Sequence, residues 1–155
     1  MKKLTILGLL TALSIFIFAA CSSPDPAPAE STLQDGSYKV TYDRPDARDW
    51  TAYLTFDVAD GEITNVDFDY LGSGPNEGKK KTEDPAYNEA MLNTAGTNPM
   101  TYAPIFEESF QETGDPEQID AVAGATTSYE TIKHFAAEGI KAAQSGTPEV
   151  ILPQP

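Results

Sequence analysis

Residues 51–70 read TAYLTFDVADGEITNVDFDY. Leu54, Phe56 and Val58 alternate with Thr55 and Asp57, and Ile63, Val66, Phe68 and Tyr70 follow on the far side of Asp60-Gly61. Alternation puts apolar side chains on one face of a strand, and Asp-Gly between two such runs suits a tight hairpin turn. The stretch therefore predicts a β-hairpin with one apolar face. Upstream, Asp35-Gly36 opens a shorter run in which Tyr38, Val40 and Tyr42 face away from Lys39 and Thr41, predicting another strand.

A half-apolar sheet needs a cover, and the rest of the chain offers helices. Residues 71–84 are Gly-rich, contain Lys79-Lys80-Lys81 and have no periodicity, so they read as a long surface loop. Pro85 suits the first turn of a helix to Asn93, with Ala86, Ala90 and Met91 available for burial. A second helix is expected over 104–112, where Ile105, Phe106, Ser109 and Phe110 share a side, ending at Gly114. Residues 119–123 are a brief strand candidate. A last helix is expected over 129–144, capped by Thr127 or Ser128, with Thr127 and Glu130 at capping-box spacing. Its buried stripe is Ile132, Phe135, Ala136, Ile140 and Ala143. The predicted fold is α+β: a single domain over 35–145, an antiparallel sheet with helices packed against it, and a Pro-rich, unstructured tail over 146–155.

The start of the chain is of another kind. Lys2 and Lys3 precede an apolar run from Leu4 to Ala20, which reads as a secretory signal peptide over 1–20. Ala19 and Ala20 stand before Cys21, resembling a lipobox in which the thiol is acylated, although Phe18 replaces the usual Leu. An uncleaved anchor and an unmodified secreted chain remain alternatives. Cys21 is the single cysteine, so no disulfide can close within the chain. Residues 21–34 then hold the lipidated Cys and a flexible, Pro-rich tether. Loss of residues 1–20 removes Lys2 and Lys3 and no acid, moving the formal charge from −14 to about −16. Such a surface repels phosphate backbones, which excludes nucleic-acid binding.

The chemistry-bearing segment is Asp120-Ala121-Val122-Ala123-Gly124-Ala125-Thr126-Thr127-Ser128. Gly124 and Ala125 let a backbone approach closely, and the three hydroxyl residues stand at the start of the last helix. Helix N-termini bear unpaired N–H donors and the positive end of the dipole, and so accept phosphate without a lysine. Asp120 would sit at the edge of that site and share a cation with the phosphate, at least transiently.

At these residues the chain resembles the FMN-binding domain family, which includes flavin-carrying subunits of sodium-pumping NADH:quinone reductases and many exported lipoproteins. The family's motif is an Asp, two variable residues, Ser-Gly-Ala-Thr, one variable residue, and a Thr or Ser bearing FMN through a phosphoester. Asp120, Gly124, Ala125, Thr126 and Ser128 match it, Thr127 takes the variable place and Ala123 stands where Ser is usual. The resemblance implies FMN on Ser128 at the N-terminus of the last helix. It also implies a magnesium-dependent flavin transferase, needing Mg only during attachment, and extends through residues 78–84 and Tyr87-Asn88 to the lipoprotein branch.

It implies an extracytoplasmic electron carrier rather than an enzyme, fed by a membrane donor such as a quinol or a flavin-reducing membrane protein. The membrane would be met through the lipid anchor. Trp50 is a candidate to stack on the flavin, or a rim residue of the core. Lys79, Lys80 and Lys81 are a counter-charge to the flavin or a solvated loop. A non-redox surface lipoprotein, ligand-binding or adhesive, is the competing function. A hydrolase built on Ser128 is disfavoured because His134, the single histidine, lies six residues on in the same helix and off its face.

Overall fold

The hairpin forms as its pattern requires. A computed structural model describes residues 32–155, and in it β1 (Gly36–Tyr42), β2 (Trp50–Ala59) and β3 (Glu62–Gly72) pair antiparallel in sequence order. Asp60 and Gly61 both take positive φ, 53° and 81°, as a two-residue turn matched to strand twist demands. The step from Ile63 to Val66 breaks strict alternation. The break is a β-bulge between Thr55 and Asp57, opposite which Asn65 adopts a φ of 53°. The extra residue restores Val66, Phe68 and Tyr70 to the core side.

Three helices follow, α1 (Pro85–Ala95), α2 (Pro99–Thr113) and α3 (Thr126–Ser145); α2 and α3 cover that face, and α1 meets the sheet through Tyr87 on Trp50. Phe110 meets Phe56 edge-on, Phe106 packs on Phe68 and Phe135 on Tyr42, joining helices to sheet. Burying each such ring is worth on the order of 2–3 kcal/mol, so these contacts dominate the core.

Several elements depart from expectation. Helix α2 starts five residues before Pro104, because the Asn98 side chain accepts from the Thr101 amide and Pro99 occupies the first helical position. Pro104 costs one backbone bond and is tolerated at an exposed position. In consequence Ile105 is exposed, while Tyr102 and Ala103 join the buried face. Residues 119–123 form no strand. A short 3-10 turn over Pro116–Gln118 leads into them, and the Asp120 amide donates to Ser109 Oγ rather than to a ladder. In α1 the buried residue is Asn88, not Ala86 or Ala90.

The tail is ordered. Residues Glu149–Leu152 form β4, parallel to β1, giving the order β3-β2-β1-β4 and a mixed sheet rather than a purely antiparallel one. Gln154 N donates to Asp43, and the Arg44 guanidinium donates to the Gln154 carbonyl. The signal segment, Cys21 and nearly all of the tether lie outside the described residues. Among the described residues no helix is long and apolar enough to cross a membrane.

Candidate functional site

Helix α3 opens without a side-chain cap. Its N-cap residue is Ala125, so the Thr127–Glu130 capping box does not form, and Thr126, Thr127 and Ser128 are the first three helical residues. The amides of a helix's first turn have no intrahelical acceptor, and among the described residues no hydroxyl or carboxylate takes them. Helical periodicity then separates the three hydroxyls. Ser128 falls on the inward stripe with Ile132, Phe135 and Gly139, and is buried, while Thr126 and Thr127 are exposed.

The loop before the helix is held by Gly124. Its φ is +83°, and a Cβ there would lie 2.2 Å from the Ala95 carbonyl oxygen and 3.1 Å from Thr97 Cγ2. Only glycine can lie so close against the end of α1 with that backbone.

Ser128 Oγ lies between two tyrosines. Tyr70 Oη donates to it at 2.9 Å, and it donates to Tyr102 Oη at 3.0 Å. Burial pushes both phenol pKa values well up, so both keep their protons at any ordinary pH. The proton of Tyr102 has no side-chain acceptor among the described residues. Neither tyrosine can serve as a base toward Ser128, and His134 is exposed.

These groups floor a cleft of about 840 Å³, within the range of small-molecule sites. Its walls are Trp50, Tyr70, Tyr87, Met91 and Tyr102, with Gly124, Ala125 and the three hydroxyl residues at one end and Asp46, Arg48, Gln154 and Pro155 also lining it. Trp50 is both core and wall: it is 3% exposed and meets Tyr87 edge-on at 5.7 Å. Asp120 does not line the cleft. Its side chain is exposed, at the start of the motif segment.

The lysine run is only in part a solvated loop: Lys79 and Lys80 keep contact with solvent, whereas Lys81 is buried. Gly72 N donates to the Lys79 carbonyl and Lys81 N to that of Tyr70, so the segment folds back along β3. Asp69, buried, clips it there by accepting from the Thr82 hydroxyl and amide. Strand-like alternation then sends neighbours different ways. Lys79 pairs with Asp84, Lys80 pairs with Asp67 over the Tyr53 ring, and Lys81 turns into the cleft.

Lys81 is 6% exposed, with Nζ 3.7 Å from the Tyr70 ring centroid, 5.1 Å from that of Tyr87 and 5.5 Å from that of Trp50. No carboxylate pairs with it among the described residues. Burial lowers its pKa from 10.5 to about 8, with Asp46 pulling upward, Arg48 pushing down and Asp69 pulling upward.

Sequence reasoning missed Tyr70 as a site residue, because it reads as the last core position of the hairpin. Tyr102 was missed because it precedes the helix as expected. A tyrosine in a buried stripe, whose hydroxyl must find a partner, was the available signal.

The cleft suits a ligand with a phosphate at one end and a flat aromatic body. Uncapped amides and a tyrosine proton stand at the floor, ring faces line the walls with Lys81 among them, and Arg48 also lines the cleft.

Comparison with known proteins gives the family. The FMN-binding domain family matches residues 48–141. The chain is 28% identical over 122 residues to the 15 kDa lipoprotein of Treponema pallidum (strain Nichols), spanning 79% of this chain and 84% of that one. A Clostridium perfringens protein of known crystal structure superposes with a TM-score of 0.73 at 31% identity, over 79% of this chain and 99% of that one. By this match over most of its folded part, the chain belongs to the FMN-binding domain family.

Proposed function

We propose that the mature protein is an exported lipoprotein, anchored through Cys21, that carries FMN as a phosphoester on Ser128 and passes electrons outside the cytoplasm. One observation carries this reading: a buried serine hydroxyl at the third residue of an uncapped helix floors an aromatic cleft. The amides of Thr126, Thr127 and Ser128 would receive phosphate oxygens. Tyr70 would keep donating to the ester oxygen, and Tyr102, losing the Ser128 proton, would donate its own to the phosphate. Trp50 and Tyr87 would flank the ring. The flavin, when bound, supplies one- and two-electron chemistry, and the protein supplies attachment, orientation and charge.

Among the described residues no carboxylate or histidine stands beside Ser128 to take its proton, which fits attachment by an outside catalyst such as a magnesium-dependent flavin transferase. Asp120, exposed at the start of the motif, is available to that enzyme rather than to the bound flavin. The lipoprotein relative supports the anchored, extracytoplasmic part of the reading. A quinol or a flavin-reducing membrane protein fits as electron donor.

The test is the intact mass of denatured protein from a cell that exports and flavinylates. Wild type should be heavier than the bare chain by one FMN less water. Ser128→Ala should lose that mass and Thr127→Ala keep it. Flavin mapped to Thr127 would overturn the choice of Ser128, and no flavin at all would leave a non-redox surface module as the better account.

A further inference from the structure

We infer that Lys81 is the counter-charge of the flavin ring: its ammonium, walled by Tyr70, Tyr87 and Trp50, favours the reduced, anionic ring and raises the flavin's midpoint potential. This rests on the reading of Ser128 as the attachment point.

Position comes first. Tyr70 spans the distance between the two residues, with its ring face under Lys81 Nζ at 3.7 Å and its hydroxyl on Ser128 Oγ at 2.9 Å. The cation therefore stands a tyrosine's length from the ester oxygen, on the aromatic side of the cleft. The phosphate already has the helix amides, so the ring is what remains for Lys81 to face.

Cost comes second. Lys79 and Lys80 each have a carboxylate, whereas Lys81 is buried with aromatic faces in place of one. Ring quadrupoles recover only part of what desolvating an ammonium loses. A fold that needed only to fill this space would do so better with methionine or leucine. An acidic chain that keeps an unpaired cation in its cleft has a site for negative charge.

The chemistry supplies that charge. The oxidised ring is neutral. Two electrons from a donor of the quinol class and one proton from solvent leave one negative charge on the ring's pyrimidine edge, while Lys81 keeps its own proton. A fixed cation stabilises only that product and so shifts the equilibrium toward it.

The experiment compares wild type, Lys81→Met and Lys81→Arg, each made both with and without flavinylation. In the loaded protein Lys81→Met should lower the midpoint potential by at least tenfold in the reduction equilibrium, about 30 mV for a two-electron couple. Lys81→Arg, which keeps the charge, should hold it near wild type. In the flavin-free protein Lys81→Met should unfold several degrees higher than wild type, the mark of a residue kept for function at a cost in stability. A flavin-free Lys81→Met chain that unfolds below wild type makes Lys81 a structural brace and overturns the inference, whether or not that variant loads. A yellow wild type with an unchanged potential in Lys81→Met overturns this inference alone. A wild type that never carries flavin overturns the reading of Ser128 and this one with it.

Discussion

Ser128, Asp120 and Lys81 differ in what surrounds them, and that difference sets what each can do. Ser128 bridges two tyrosine hydroxyls, so Ser128→Ala should cost about 1 kcal/mol as Tyr70 loses its acceptor, measurable by urea unfolding of flavin-free protein. Asp120 touches no cleft residue, and Asp120→Asn should lower flavin occupancy while thermal unfolding of the flavin-free chain is unchanged. Full occupancy in that variant would remove Asp120 from the attachment reaction. Lys81 makes stability depend on pH. Its folded pKa is about 8 against 10.5, so between those values the unfolded chain binds more protons and stability rises with pH. The shift corresponds to about 3 kcal/mol, offset in part by the ring faces. The stability gained by Lys81→Met should accordingly be fully present below pH 8 and fade toward pH 10.5, a trend that denaturant titrations at several pH values would trace. A gain independent of pH would mean that the ammonium is not desolvated.

The start of α3 works because three elements hold it. The end of α1 and Thr97 press on Gly124, β3 offers Tyr70, and α2 offers Tyr102. Gly124→Ala meets both a backbone carbonyl and a positive φ, and should destabilise by about 2 kcal/mol or more. Flavin uptake should fall with it, because the first turn of α3 moves away from the two tyrosines. Calorimetry and flavin absorbance on the same sample check both, and a variant as stable as wild type would mean that the loop can relax. The bulge at Asn65 and the clip at Asp69 act similarly on β3, one setting which side Tyr70 faces and the other drawing the lysine segment back along the strand.

At the scale of the molecule, an acidic surface encloses a cleft whose own charge is partly positive. A formal charge of −14 favours partners with a basic docking face, and such association should slow as salt rises. On the reading of Cys21 as a lipid anchor, the tether lets the cleft reach a few tens of ångströms from the membrane. Cys21→Ala should move the protein from the membrane fraction to the soluble one while its flavin content stays constant. Unchanged fractionation would point to an uncleaved apolar segment instead.

Much of this was legible without coordinates, because local periodicity and turn chemistry act over a few residues. The alternation over 51–70 and Asp60-Gly61 determined the hairpin, and the stripe through Ile132 and Phe135 determined which side of the last helix faces the sheet. Extending that stripe back one turn reaches Ser128 and passes over Thr127, the same residue that the motif's spacing selects. The tertiary structure decided what depends on partners distant in the chain. Residues 149–152 look like a frayed tail until β1 presents an open edge. Asn98 opens α2 ahead of Pro104 because its side chain takes an amide that periodicity does not reveal. Sequence leaves Lys81 open between a counter-charge and a solvated loop, and does not separate it from Lys79 and Lys80 until the Lys81–Tyr70 backbone bond folds the loop onto β3. Burial of a charge is a property of what surrounds it, and three of the rings around Lys81 come from β2, β3 and α1, which only the folded chain brings together.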